Sequence, residues 1–246
     1  MEPLFVLTTG DNAYTIGSVE NFDEFVFDVY HDLMRTAAFF PAIGNHDVTI
    51  SGIVNFSESF VLPANNVLAQ ETFYSFDLGA AHFVYLDSTA SEEGSFALTD
   101  GAGGQILWLR NVLASTNQPW KIVYLHPPVY LTCNRNDAPC TCLCESEACN
   151  CSRPKSANWS LLPVLEPLFN ESSVDLVLAG DDHMYYRTHP ILDGVVRDSW
   201  HGKRDFGGED VYHPPPRNDL RRHRWRRAIH RVVPVRAYSL HDGDLG

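Results

Sequence analysis

Four short apolar runs in this sequence each break off into a cluster of side chains able to bind or move charge. The run 4–9 is followed by Asp11, Asn12 and Tyr14, the run 39–43 by Asn45, His46 and Asp47, the run 121–125 by His126, and the run 174–179 by Asp181, Asp182 and His183. Any one cluster is ordinary loop material, since Asp and Asn favour turns and a lone His after a strand is usually structural. Four together carry more weight, because in open α/β folds ligands bind at the carboxyl ends of strands. Carboxylate, amide, phenol and imidazole groups gathered there could hold cations and place a proton.

The elements between these clusters are of the right kind to bring them together. Phe22, Phe25, Val26, Val29, Tyr30, Leu33 and Met34 form one apolar stripe at helical spacing, with Asn21 in position to cap it. A second helix is predicted over 105–113, with Trp108 and Leu109 in the core. A third follows from Leu161, Val164, Leu165, Leu168 and Phe169, weakened by Pro167. The aromatic and branched runs 72–76 and 82–86 read as an antiparallel hairpin. Strands alternating with helices, plus a hairpin, predict an α/β domain with a mixed sheet system. His31 and His82 are expected at the surface.

The motifs GDNAY at 10–14, GNHD at 44–47, VYLH at 123–126 and GDDH at 180–183 resemble, in order and strand-end placement, those of the calcineurin-like metallophosphoesterases. The similarity is to the purple acid phosphatase branch and covers residues 3–193. It implies a layered β-sandwich of mixed sheets flanked by helices, incomplete at both ends. The activity it implies is hydrolysis of phosphate monoesters, small-molecule or protein, by a hydroxide on a binuclear metal centre. The alternatives are a phosphodiesterase of the same family, or a secreted glycoprotein that keeps the fold with impaired catalysis.

Carried over by position, the resemblance implies that Asp11 bridges two metals, with Tyr14 and His183 on the first and Asn45 and His126 on the second. Oxygen and imidazole donors without a thiolate suit ferric iron, paired with zinc, manganese or ferrous iron. His46 is implied to contact the phosphate and protonate the leaving group, with Asp47 orienting its ring. Two positions depart from the family. Its opening GDxG motif is not found in the nine residues before Gly10, and Asp181 stands where a His ligand is implied, as a carboxylate that can still hold zinc or manganese.

Charge and cysteine use bound the setting. The chain has 246 residues and a net charge of -13, which argues against broad nucleic-acid or anionic-membrane binding. That charge is uneven, with 7 Lys+Arg against 24 Asp+Glu in 1–193 and 11 against 7 in 194–246. The basic part, with Arg217, Arg221, Arg222, Arg224, Arg226, Arg227 and Arg231, is expected to be a disordered or non-native tail, the alternative being an arm for phosphate or nucleic acid.

All 6 cysteines lie within 133–151, an insertion in the domain that reads as a disulfide loop over the site or as a soft-metal tract. Asn55, Asn150, Asn158 and Asn170 open Asn-x-Ser triplets, so the expectation is a secreted or lumenal glycoprotein, with the cytoplasm as alternative. Met1 opens onto an apolar strand rather than a leader, and no run reaches the ~18 apolar residues of a membrane span. Oligomeric state is not legible.

Overall fold

Period-two alternation in three neighbouring strands divides the interior into two cores. The computed structural model describes residues 3–51, 53–89, 104–129, 162–181, 183 and 188, with short strands between 191 and 234. The cysteine insertion and residues 150 and 158 lie outside the described residues. In chain order the strands are β1 (Phe5–Leu7), β2 (Ala38–Phe40), β3 (Tyr74–Leu78), β4 (Ala81–Tyr85), β5 (Trp120–Tyr124) and β6 (Leu176–Ala179). Strands β4, β5 and β6 run parallel, and β3 closes the hairpin onto β4 in antiparallel register. β1 and β2 form a separate parallel pair.

Val84, Val123, Val177 and Ala179 point to one face of the larger sheet, into a core with α4 (Gln105–Ser115) and α5 (Leu162–Ser172). Phe83, Tyr85, Ile122, Tyr124 and Leu178 point to the other face, into a core with Phe5, Leu7, Phe39 and Phe40 of the small sheet and Phe56 of α3 (Val54–Ser59). The result is helices, sheet, sheet and helices in layers, as expected from sequence. Aromatic rings fill the seam between the sheets. Phe40 stacks on Phe76 at 3.9 Å and Phe76 on Phe83 at 5.0 Å, while Phe5 meets Phe83 edge-on at 5.2 Å.

The first helical segment departs from the simple stripe. Ser18, rather than Asn21, caps it by accepting the Asn21 N–H at 3.2 Å. Its turns α1 (Val19–Phe22) and α2 (Asp28–Met34) are joined by a π-helical turn, Asp23–Phe27. An i→i+5 turn advances the chain through fewer degrees per residue, so the apolar face is displaced beyond it. Phe22 and Val26 stay buried and Phe27 packs inward, whereas Val29 and Tyr30 are 46% and 38% exposed.

His82 corrects an expectation, because it is buried rather than at the surface. It lies directly across the hairpin from Asp77, with Nδ1 2.6 Å from the Asp77 carboxylate. That bond, with a second from the Gln118 amide, holds the Asp77 carboxyl below its usual range. His31 is exposed and Trp108 and Leu109 are core residues, as expected. Two of the Asn-x-Ser sites do not offer a free amide. Asn170 is 9% exposed on α5, and the Asn55 amide donates to the Gly17 carbonyl at 2.8 Å.

Asp175, the one charged residue of the run 174–179, accepts the Lys121 N–H at 2.8 Å. The Lys121 ammonium in turn caps both helices, donating to the Leu113 and Ser172 carbonyls at 2.7 and 2.9 Å. Burial raises the Asp175 carboxyl to about 6 despite the Lys121 N–H and charge. A carboxyl whose folded pKa lies above its unfolded one stabilises most below about pH 4, and that contribution is lost as pH rises to 6. Asp175→Asn is therefore expected to be more stable than wild type at pH 7 by about 1 kcal/mol, discounted for its partial exposure, with the difference vanishing by about pH 4. Thermal melts across that range check it.

Beyond Pro190 the sequence shows no further sheet strand, yet the described residues include several. β7 (Ile191–Leu192) pairs with β8 (Val195–Val196) and β9 (Arg204–Phe206) with β10 (Glu209–Val211), and β11 (Val232–Pro234) lies parallel to β6.

Candidate metal centre

Three glycines allow the strand-end loops to touch. A Cβ at Gly10 would overlap the His126 ring, one at Gly44 would overlap the Asp11 backbone and carboxylate, and one at Gly180 would meet the Thr9 carbonyl at 2.7 Å. The backbones are locked where they meet. Gly180 N–H donates to the His126 carbonyl at 2.8 Å, Leu125 N–H to Leu178 and Ala42 N–H to Thr8. Asp11, Asp181 and His183 all have positive φ, at 55°, 68° and 50°. Non-glycine residues held there by their surroundings cluster at functional sites.

The Asp11 carboxylate divides the donors into two groups. Its Oδ2 accepts from the Tyr14 hydroxyl at 2.9 Å, and the Tyr14 oxygen is 2.9 Å from His183 Nε2. Its Oδ1 accepts the His46 N–H at 3.0 Å and lies 3.3 Å from His126 Nε2. Around that same nitrogen stand Asn45 Oδ1 at 3.1 Å and Asp181 Oδ1 at 3.9 Å. All six predicted ligands are thereby brought together, with Tyr14 and His183 on one side of Asp11 and His126, Asn45 and Asp181 on the other.

His126 is 1% exposed, and its Nδ1 donates to the Thr9 carbonyl at 2.6 Å. A carbonyl can only accept, so Nε2 is the nitrogen presented to three oxygens. Such a cluster needs a positive charge. Burial alone would depress the His126 pKa, but Asp11 more than offsets it and raises the value. Burial likewise raises the Asp11 carboxyl, and His126, the His46 N–H and the Tyr14 hydroxyl together overcome it and hold it at about 2. Burial and then Asp11 push the Tyr14 phenol up, so a Tyr14 phenolate would need a strong Lewis acid beside it.

A cation fits these donors. Atoms each ~2.1 Å from one ion lie ~3.0 to ~4.2 Å from one another, which spans the separations around His126 Nε2. Among the described residues no three His, Cys, Asp or Glu groups form a closed cage by themselves. Beside those groups stand the Asn45 amide and the Tyr14 phenol.

Asp47 corrects the sequence reading, which had it orienting the His46 ring. It is fully buried and accepts from the Ala13 and Gly44 N–H groups and the Asn12 amide, each at 2.8 Å. It is therefore a clasp between the loops that carry Asp11 and Asn45. Burial raises its carboxyl to about 6 against those donors. The His46 ring is held by the Thr15 carbonyl, 2.7 Å from Nδ1, and by the Tyr14 ring with centroids 4.5 Å apart.

The supporting role of Asn12, and Ser88 altogether, were missed from sequence. Asn12 also donates to the Ala42 carbonyl at 2.8 Å, and Ser88 Oγ accepts the His126 N–H at 3.2 Å. Asp87 and Ser88 follow β4 as the predicted ligands follow their strands, and that pattern could have found them. Two buried tyrosines, Tyr85 and Tyr74, reach from the large sheet to the Asn45 loop, and a third, Tyr124, supports Tyr74. Tyr85 accepts the Ile43 N–H at 2.7 Å, Tyr74 donates to the Pro41 carbonyl at 3.0 Å, and Tyr124 donates to Tyr74 at 2.9 Å. Tyr85→Phe leaves the Ile43 N–H buried without an acceptor. An expected loss of about 2 kcal/mol follows, measurable by urea denaturation.

The family model described as Calcineurin-like phosphoesterase matches residues 1–185. Purple acid phosphatase 23 of Arabidopsis thaliana is 28% identical over 156 residues, covering 60% of this chain and 29% of its own length. Probable inactive purple acid phosphatase 9 of the same plant is 25% identical over 233 residues, covering 82% of this chain and 32% of its own. Among solved structures, purple acid phosphatase PPD1 from yellow lupin (Lupinus luteus) seeds superposes with a TM-score of 0.58 at 21% identity, over 80% of this chain and 33% of that one. The chain thus spans about a third of the length of these relatives.

Proposed function

Since this chain belongs to the calcineurin-like phosphoesterase family, we propose that it hydrolyses phosphate monoesters at a centre of two metal ions bridged by Asp11. The observation that carries this reading is the division of the Asp11 oxygens between Tyr14 with His183 and His126 with Asn45 and Asp181. Tyr14 favours ferric iron on its side, with zinc, manganese or ferrous iron on the other. Bound there, two cations would supply Lewis-acid polarisation of the phosphoryl oxygens and a water of lowered pKa.

The residues of the chain supply position and protons. His126 is fixed as an Nε2 ligand by the Thr9 carbonyl, and metal binding must displace any proton on that nitrogen. His46 is half-buried, and with Nδ1 engaged by Thr15 only Nε2 is left for substrate. To protonate the leaving oxygen it must bring a proton on Nε2 to that atom. Asp47 and Asn12 hold the two loops in register. The cysteine cluster and the sites at Asn150 and Asn158 support a secreted or lumenal setting.

A second reading, a fold-keeping protein with impaired catalysis, is favoured by Asp181 in place of an implied imidazole. Metal analysis of the purified chain, with turnover of a chromogenic monoester and its diester after adding ferric, zinc or manganese ions, separates the two. Two metals per chain and faster monoester cleavage are expected. Fewer than one metal and no turnover would establish the second reading.

A further inference from the structure

We propose that Asp181 makes the cation position around His126 an oxygen-dominated one, which weakens preference for zinc over manganese relative to an imidazole in the same place. This rests on the two-cation reading above. Among the described residues His126 Nε2 is the single imidazole nitrogen there, faced by Asn45 Oδ1 at 3.1 Å, Asp11 Oδ1 at 3.3 Å and Asp181 Oδ1 at 3.9 Å. Imidazole suits zinc, whereas carboxylate, carbonyl and water oxygens suit manganese and magnesium. A carboxylate at 181, beside that of Asp11, also doubles the formal negative charge that an imidazole there would leave, which a hard divalent ion exploits through electrostatics rather than covalency.

The placement of Asp181 is built into the backbone. Its φ of 68° is in the left-handed region, and the preceding Gly180 packs on Thr9 and donates to the carbonyl of His126 itself. Asp181 is therefore held against the residue it would share a cation with. Its side chain is 25% exposed while that of His126 is 1% exposed, so an ion arriving from solvent reaches the carboxylate first.

The test measures binding, with the full chain stripped by chelator and titrated separately with Mn2+, followed by electron paramagnetic resonance, and Zn2+, followed by calorimetry. The step belonging to this position is the one lost in Asn45→Ala. In Asp181→His the ratio of zinc to manganese affinity for that step should rise at least about tenfold. Asp181→Asn, which suits the left-handed backbone and keeps an oxygen, should hold the wild-type ratio within about threefold while both affinities fall about tenfold.

An unchanged ratio in Asp181→His, with metals still bound and a normal melt, overturns the selectivity and leaves the two-cation centre standing. If Asp181→His fails to fold, Mn2+ binding by Asp181→Asn at wild-type strength overturns it instead. Absence of any bound metal in wild type overturns both the selectivity and the centre.

Discussion

On the proposed two-cation reading, Asp11→Asn is expected to lower turnover of a phosphate monoester by about 10³-fold, the upper end of what loss of one oriented hydrogen-bond donor costs. The substitution keeps the shape of the side chain and suits a φ of 55°, since Asn tolerates the left-handed region. Its amide oxygen can still accept the His46 N–H. What it cannot do is carry the charge that both donor groups share, so neither cation position survives intact. Metal content after purification should fall below one ion per chain.

The cost in stability is smaller and has a definite sign. The wild-type carboxyl, held at about 2 in the metal-free chain, contributes stability that is present above about pH 4 and is lost as pH falls towards 2. Asn forgoes that contribution, so at pH 7 the metal-free variant should be about 1–2 kcal/mol less stable and still folded. Full turnover by a folded, metal-poor Asp11→Asn protein would remove Asp11 from the chemistry.

Gly44→Ala should damage the fold and the site together. The residue does not have a left-handed φ, so alanine carries no dihedral penalty, and the whole effect is steric. The new methyl would occupy the space of the Asp11 backbone nitrogen and carboxylate, neither of which can swing aside as a flexible side chain would. A loss of about 3 kcal/mol is expected, or a melting temperature lower by ~6–12 °C, together with loss of metal binding. Gly79→Ala is the contrasting case. It has a φ of 59° and nothing within 4 Å of the new atom, so only about 1 kcal/mol of conformational cost applies. Equal effects at the two positions would show that close packing of the loops is not what Gly44 provides.

How much of this was readable depended on the range of the interactions concerned. The strands, the hairpin and α4 were legible because alternation and helical spacing are local patterns set by which face is buried. The first helix was only half legible. Its composition announces a stripe, but the π turn at Asp23–Phe27 answers to where Phe22, Phe27 and Phe60 must pack, with Phe22 and Phe27 meeting Phe60 at 5.9 and 5.7 Å. His82 was misjudged for a related reason: a lone histidine in a strand carries no mark of the Asp77 that faces it across the hairpin.

The sequence by itself determined which side chains could serve as ligands, because the strand-end position of Asp11, Asn45, His126 and Asp181 follows from apolar runs that stop at glycines and polar residues. Tertiary structure alone decided how those donors divide and what supports them. Which Asp11 oxygen faces Tyr14 and which faces His126 depends on loops separated by more than a hundred residues being pressed together at Gly10, Gly44 and Gly180. The role of Asp47 changed for the same reason. Next to His46 in the chain, it turns inward to the Ala13 and Gly44 N–H groups, since buried backbone donors must be satisfied and the His46 ring already has the Thr15 carbonyl.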